Sequence, residues 1–198
     1  LIVTGSARSI LSTERFVLNC MQRMSGIATK TDRIVQLLAP YQTKILDTRK
    51  TTPGLRFLEK WAVKIGGGVN HRIGLYDMIL IKDNHVDFAG GIKDALEKAF
   101  AYNAQLPNPL PVEIEVRNEA ELDEVLAIGG VQRIMLDNFS PERLRAAIRK
   151  IDGRFITEAS GGINEKTLRA YGETGVDYIS VGALTHQVKS LDLSLKAK

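Results

Sequence analysis

A single cysteine, Cys20, in 198 residues excludes an internal disulfide, so nothing covalent substitutes for a packed core. It falls in an apolar helical pattern with Leu18, Met21 and Met24 and reads as a buried structural thiol, not a nucleophile. No stretch approaches the roughly 20 apolar residues that span a bilayer, so no membrane partner is expected. There is no zinc-ligand spacing, basic tail or basic–aromatic interleaving, which sets nucleic acid aside despite a net charge of +4. Nor does a GxGxxG follow the first strand-like run, which argues against a dinucleotide-binding open sheet. The start, Leu1-Ile2-Val3-Thr4, has no Met and no basic lead. It reads as the interior of a strand, so an upstream segment and a cytoplasmic protein are the expectations.

What is present is ordinary soluble composition, 44% apolar and 25% charged, enough for one sizeable core. The charge is unevenly spread. Residues 1 to 82 carry 13 Lys and Arg against 5 Asp and Glu, net +8, while residues 83 to 198 carry 14 against 18, net −4. The first part offers anion ligands and the second offers carboxylates suited to a hard cation or a developing positive charge.

Strand-like runs at Lys44 to Thr48, Met78 to Lys82, Val112 to Val116, Arg133 to Leu136, Arg154 to Ala159 and Asp177 to Val181 alternate with helical patterns. The strands read as apolar runs, as strands covered on both faces should. Asn118 and Ser140 look like helix starts, and Gly129-Gly130 like a stop. Polar residues close one strand after another: Arg49, Lys82, Glu115, Asp137, Glu158 and Ser180, at separations of 33, 33, 22, 21 and 22. In a barrel of parallel strands those ends converge on one face, where they can address one ligand. The expected fold is therefore an α/β, TIM-like (β/α) barrel, closed or open.

The candidate site residues follow from that convergence. Arg49 and Lys50 end the first strand before a Pro53-Gly54 turn and Arg56, and the guanidinium fork matches carboxylate oxygens two at a time. Gly66-Gly67-Gly68 gives backbone freedom for close approach to a ligand before His71-Arg72, where His71 is either a satisfied core histidine or a carboxylate donor. Lys82 emerges from the apolar Met78-Ile79-Leu80-Ile81, with Asp77 or Asp83 as structural partners in the bland reading and His85 as a turn former. Glu113 and Glu115 share a strand face, and Glu115 with Asp137 could hold Mg²⁺. Ser160-Gly161-Gly162 and Val181-Gly182, each leading to a helix start, suit phosphate.

In these motifs the chain resembles the decarboxylating quinolinate phosphoribosyltransferase family. The likeness runs through Glu14-Arg15, Ser25 to Thr29, Asp47 to Arg56, Gly66 to Arg72, Leu80 to His85, Glu113 to Val116, Leu136-Asp137-Asn138, Glu158 to Gly162 and Gly175 to Gly182. It implies that quinolinate and phosphoribosyl pyrophosphate give nicotinate mononucleotide, pyrophosphate and carbon dioxide, with Mg²⁺, in NAD biosynthesis. By motif, Arg49, Lys50, His71, Arg72 and Lys82 would surround the pyridine carboxylates, and Glu115 and Asp137 would face ribose and metal. Lys82, Glu115 and Asp137 are the implied catalytic groups, with Ser160, Gly161, Gly162 and Gly182 on the 5′-phosphate. Arg15 matches a family arginine that enters the partner subunit's site, which implies a homodimer or larger. The family also carries an N-terminal sandwich domain. Residues 1–20 would be its tail and a connecting helix, 21–188 the barrel, and 189–198 a segment returning toward it. The alternatives are a relative acting on a monocarboxylate such as nicotinate, or a truncated, non-catalytic phosphate-binding barrel.

Overall fold

In the computed structural model, which describes residues 2–197, all six strands form: β1 (Lys44–Leu46), β2 (Ile79–Ile81), β3 (Val112–Val116), β4 (Arg133–Asp137), β5 (Ile156–Ser160) and β6 (Tyr178–Ser180). They make one sheet in the order β1-β6-β5-β4-β3-β2, and every pairing is parallel. Because β1 pairs with the last strand, the sheet curls until β1 and β2 form its two edges. The seam is covered by an irregular segment. Leu46 bridges Val69 in parallel register, and Arg72 Nη1 donates to Met78 O at 3.1 Å at the start of β2. The result is the open form of the expected TIM-like barrel.

Its walls differ from the sequence reading in one respect. The strands are covered on both faces, as β3 is at all five positions, but the faces alternate in chemistry. Val112, Ile114 and Val116 join the core between sheet and helices, while Glu113 and Glu115 point into the barrel. Leu80 and Met135 line the same interior and lie outside the main apolar cluster. A charge can occupy that interior only where another charge or a ligand meets it.

The helices are α1 (Ala7–Leu38), α2 (Arg56–Ile65), α3 (Asp83–Ala89), α4 (Ile92–Asn103), α5 (Glu119–Ile128), α6 (Pro141–Ile151), α7 (Leu168–Gly172) and α8 (Ala183–His186). The expected caps form. Asn118 Oδ1 accepts from Glu121 N at 3.0 Å, Ser140 Oγ accepts from Arg143 N at 3.4 Å, and Gly129 stops α5 with φ 71°.

Three expectations need correction: the strand at the start of the chain, the buried Cys20 and the ligand-facing glycine turn. Residues 2–4 are not a strand, since no neighbouring strand offers them a ladder, and Leu1 lies outside the described residues. The chain instead enters α1, 32 residues that run unbroken past position 20, with Leu191 N donating to Gln22 O at 3.1 Å as the C-terminal segment lies against the helix. Cys20 is half-buried. In α2, Trp61 and Ile65 are 51% and 61% exposed, whereas Glu59 and Lys60 are buried. The Gly66 turn serves packing: a Cβ there would collide with Ala28 O of α1, so the close approach is to a helix and not to a ligand.

Candidate functional site

At the carboxyl ends of the strands lies a cavity of about 740 Å³. Arg49, Lys50, His71, Arg72, Lys82, Glu115, Asp137, Ser160, Gly161, Gly162 and Gly182 all line it. Arg15 does not, and stands exposed on α1.

The cationic wall is built on a buried ion pair behind it. Lys60 of α2 pairs with Asp47 at the end of β1, both side chains buried, and Asp47 Oδ1 also accepts from His71 N at 2.8 Å. Asn70 Nδ2 reaches Asp47 Oδ2 at 2.6 Å and Lys60 Nζ reaches His71 O at 2.8 Å, so one aspartate fixes the whole 70–72 segment. Burial raises the Asp47 pKa and lowers that of Lys60, each opposed by the partner's charge. Arg56 secures the neighbouring loop through Thr51 Oγ1 at 3.1 Å and Ile73 O at 3.1 Å. On this frame, Arg72 is nearly buried, and Arg49 Nε is buried with no hydrogen-bond partner. Burial, then the charge of Arg49, lowers the Arg72 pKa. Two guanidinium groups thus repel one another across a concave surface, an arrangement that an anion relieves.

Opposite stand the carboxylates. Glu115 Oε2 meets Lys82 Nζ at 3.3 Å, and neither Asp77 nor Asp83 is the partner of that ammonium. Asp77 instead caps a turn, accepting from Ile73 N and Gly74 N at 2.7 and 2.9 Å. His85 is a turn former as read, its Nδ1 accepting from Lys82 N at 2.9 Å. Burial raises the Glu115 pKa; Lys82 opposes this and Asp137 reinforces it, so the two acids feel each other across the mouth. Asp137 accepts from Ser160 Oγ, and from Asn138 Nδ2 at 2.5 Å.

The glycine loops follow β5 and β6. Gly161 has φ 93°, and a Cβ there would run into the Asn138 amide. Gly161, Gly162 and Gly182 donate their N–H groups to no backbone acceptor among the described residues. After β5, residues 161–167 intervene before α7, so backbone donors and not a helix start face the cavity there. Gly182 directly caps α8, which is only four residues long.

Sequence reasoning missed the floor. Below the mouth, His71 Nε2 lies 3.0 Å from Glu113 Oε2 and 3.4 Å from Glu158 Oε2, while Arg133 Nη1 lies 2.9 Å from Glu158 Oε2 and stacks 4.8 Å from the Tyr178 ring centre. The donor atoms of His71, Glu113 and Glu158 lie within 4.8 Å of one another, spacing that a metal could use. Here Arg133 and the imidazole already supply the positive charge. Burial lowers the His71 pKa, but the hydrogen-bonded carboxylates of Glu113 and Glu158 win and hold it at about 9. Burial and the charge of Glu158 push Glu113 up to about 7, while His71 and Arg133 overcome burial to pull Glu158 down. Arg72 N donates to His71 Nδ1 at 2.7 Å, so in the neutral ring the proton sits on Nε2. Glu113 and Glu158 stand beside Nε2 and the Arg72 N–H meets Nδ1, so the ring is held in place at the inner edge of the cavity. His71, Glu113 and the strand-end Glu158 were each singled out in advance but not as one cluster, and Arg133 was not; His186, also on the cavity wall, gave no signal.

The sequence profile of the family described as quinolinate phosphoribosyl transferase, C-terminal domain, matches residues 27–196. A rice protein named nicotinate-nucleotide pyrophosphorylase (carboxylating), chloroplastic, is 50% identical over 208 residues, covering 98% of this chain and 56% of that protein. A Bacillus subtilis protein named probable nicotinate-nucleotide pyrophosphorylase (carboxylating) is 51% identical over 191 residues, covering 96% of this chain and 65% of that one. A solved structure of the nicotinate-nucleotide pyrophosphorylase from Francisella tularensis superposes with a TM-score of 0.88 at 47% identity, covering 95% of this chain and 65% of that one. The chain thus spans between 56% and 65% of the length of these two curated relatives. Among the described residues no helix is long and apolar enough to cross a membrane.

Proposed function

We propose that this chain, which belongs to the quinolinate phosphoribosyl transferase family, carries the site that joins quinolinate to the phosphoribosyl group of phosphoribosyl pyrophosphate. The products are nicotinate mononucleotide, pyrophosphate and carbon dioxide. The observation that carries this reading is the pair of guanidinium groups, the nearly buried Arg72 and Arg49 with its buried, unpartnered Nε, on one wall of a cavity whose other wall is acidic. A pyridine dicarboxylate neutralises the first wall and presents its ring nitrogen toward the second.

The residues then divide the work. Arg49 and Arg72 bind and orient the two carboxylates, with Lys50 and Lys82 at the rim. Attack by the pyridine nitrogen on ribose C1 builds positive charge on the sugar, and the Glu115 carboxylate stabilises it. The unclaimed N–H groups of Gly161, Gly162 and Gly182, with Ser160, hold the 5′-phosphate. The mutual repulsion of Glu115 and Asp137 suits a hard divalent cation, and these two residues would hold Mg²⁺. When bound, Mg²⁺ neutralises the departing pyrophosphate. Once the ring nitrogen is quaternary, its positive charge stabilises the electron pair left on C2 as the 2-carboxylate departs as carbon dioxide, and C2 then takes a proton from water to give nicotinate mononucleotide. In this reading Arg15, exposed on α1, enters the cavity of a second subunit, so the enzyme is a homodimer or larger, and its location is the cytoplasm.

The test is a single-turnover assay for nicotinate mononucleotide and carbon dioxide, with quinolinate or nicotinate, with and without Mg²⁺. Product only from quinolinate, dependent on Mg²⁺, is expected; turnover of nicotinate in its place selects the monocarboxylate reading. Each charge-assisted contact is worth about 1.5 to 3 kcal/mol, so Arg72→Ala lowers quinolinate affinity at least about tenfold by calorimetry. Unchanged binding removes Arg72 from the site.

A further inference from the structure

Two loops that this reading gives to different substrates hang from one ion pair outside the cavity. Arg23 of α1 donates through Nε and Nη2 to Glu59 Oε1 of α2 at 3.0 and 2.9 Å, and the Glu59 side chain is 0% exposed. The other carboxylate oxygen, Oε2, accepts from Thr52 N at 3.1 Å in the loop that carries Arg49 and Lys50. The guanidinium reaches the other way, to Thr185 O in α8 and to Val188 O at 3.3 Å. Thr185 closes the circuit directly, its Oγ1 donating to Lys50 O at 2.8 Å. None of Arg23, Glu59 and Thr185 lines the cavity.

An ion pair in that place is a poor stabiliser in itself, because desolvation offsets the attraction and apolar residues of similar volume would serve as well. What it supplies is direction. The planar fork of Arg23 fixes α8 relative to α1, and the two oxygens of Glu59 fix residue 52 relative to that fork, so α8 cannot shift without moving the 49–52 loop.

We propose that Arg23 and Glu59 are positioning residues that couple the two anion subsites, so that phosphate at the β6–α8 loop favours dicarboxylate binding at Arg49 and Arg72, and the reverse. The reciprocity is thermodynamic: whatever factor one ligand adds to the other's affinity is returned. The inference rests on the proposed function only for the identity of the dicarboxylate.

The test uses the natural full-length protein and inorganic phosphate as its probe. Amide hydrogen exchange is followed at Lys50, Thr51 and Thr52 and at Leu184, Thr185 and His186. In the wild type phosphate slows both groups, by about fivefold or more if the coupling is of ordinary size. In Glu59→Gln and Arg23→Lys, confirmed folded by thermal unfolding, phosphate slows only the second group. Should Glu59→Gln fail to fold, Thr185→Val cuts the direct link at constant volume and is expected to do the same. Equal slowing of both groups in every variant overturns the inference, as does wild-type slowing confined to residues 184–186 or absent from both groups. A second arm measures quinolinate affinity by calorimetry with and without ribose 5-phosphate. Tightening of about fivefold in the wild type and less than about twofold in the variants is expected. A wild type that binds no quinolinate but passes the exchange test overturns the proposed substrate and leaves the coupling standing.

Discussion

The floor and the rim of the barrel mouth hold similar numbers of charges and treat them in opposite ways. On the floor, His71 and Arg133 lie between Glu113 and Glu158, and each charge answers another within 4 Å. At the rim, Arg49 lowers the Arg72 pKa against the weaker opposing charges of Glu113 and Asp77, while Glu115 and Asp137 repel on the other side, with Lys82 near one of them only. The floor balances its charges within itself and so belongs to the fold, although His71 Nε2, both Glu113 oxygens, Glu158 Oε1 and Arg133 Nε make no aligned hydrogen bond. The rim separates its charges into a cationic and an acidic side, and that separation suits a ligand, which is how a binding surface differs from a core built of the same residues.

Breaking the floor is therefore the largest perturbation. Glu158→Gln keeps the shape but leaves Arg133 and His71 with one carboxylate for two cationic groups, and removing one member of a buried pair costs about 3 to 5 kcal/mol. The measurement is urea unfolding at unchanged slope. Pairing Glu158→Gln with Arg133→Met restores the balance, so the double variant is expected to lose less than the two single losses summed. Simple additivity would mean that the floor is not a matched set.

A smaller change is reached by pH. The folded His71 pKa of about 9 stands above the ordinary 6.5, so its contribution is complete below about 6.5 and is lost as pH rises through 9. Glu113, raised to about 7, has the same sign over a lower window, its contribution lost as pH rises from 4.5 through 7. Glu158, pulled down, acts in reverse and only in acid. Wild-type stability is expected to fall by about 2 kcal/mol between pH 6.5 and 9. Removing the imidazole alone leaves Glu113 to titrate higher, so the fall is expected to disappear only in the double variant His71→Asn, Glu113→Gln, and a retained slope there would place the responsible proton elsewhere.

This division also explains what the sequence disclosed. The strand ends were legible because residues such as Arg49, Lys82 and Asp137 follow apolar runs at regular spacing, a local signal. The floor was not, because Arg133 and Glu158 acquire meaning only when β4, β5 and the 70–72 segment are brought together by parallel pairing. The same non-locality hid α2, where Glu59 and Lys60 are buried by partners on α1 and β1 while Trp61 looks outward. The strand reading of residues 2–4 failed because β-branched residues make a strand only beside another strand, and none among the described residues pairs with them.

The rim gives the smallest effect on stability and so the sharpest contrast. Lys82→Met removes the ammonium 3.3 Å from Glu115, but the Lys82 side chain is 49% exposed, and pairs of that kind contribute little to folding. Glu115 is the more buried partner, and its pKa is already raised by burial, so losing Lys82 moves it further in the same direction. A carboxyl group that can take up a proton escapes the penalty of an unpaired charge, which limits the loss in a way not open to the floor, where Arg133 cannot be neutralised. Urea unfolding of Lys82→Met at pH 7 is therefore expected to stay within about 0.5 kcal/mol of the wild type, while turnover with quinolinate falls. A loss as large as that of Glu158→Gln would show that the rim pair is part of the fold after all.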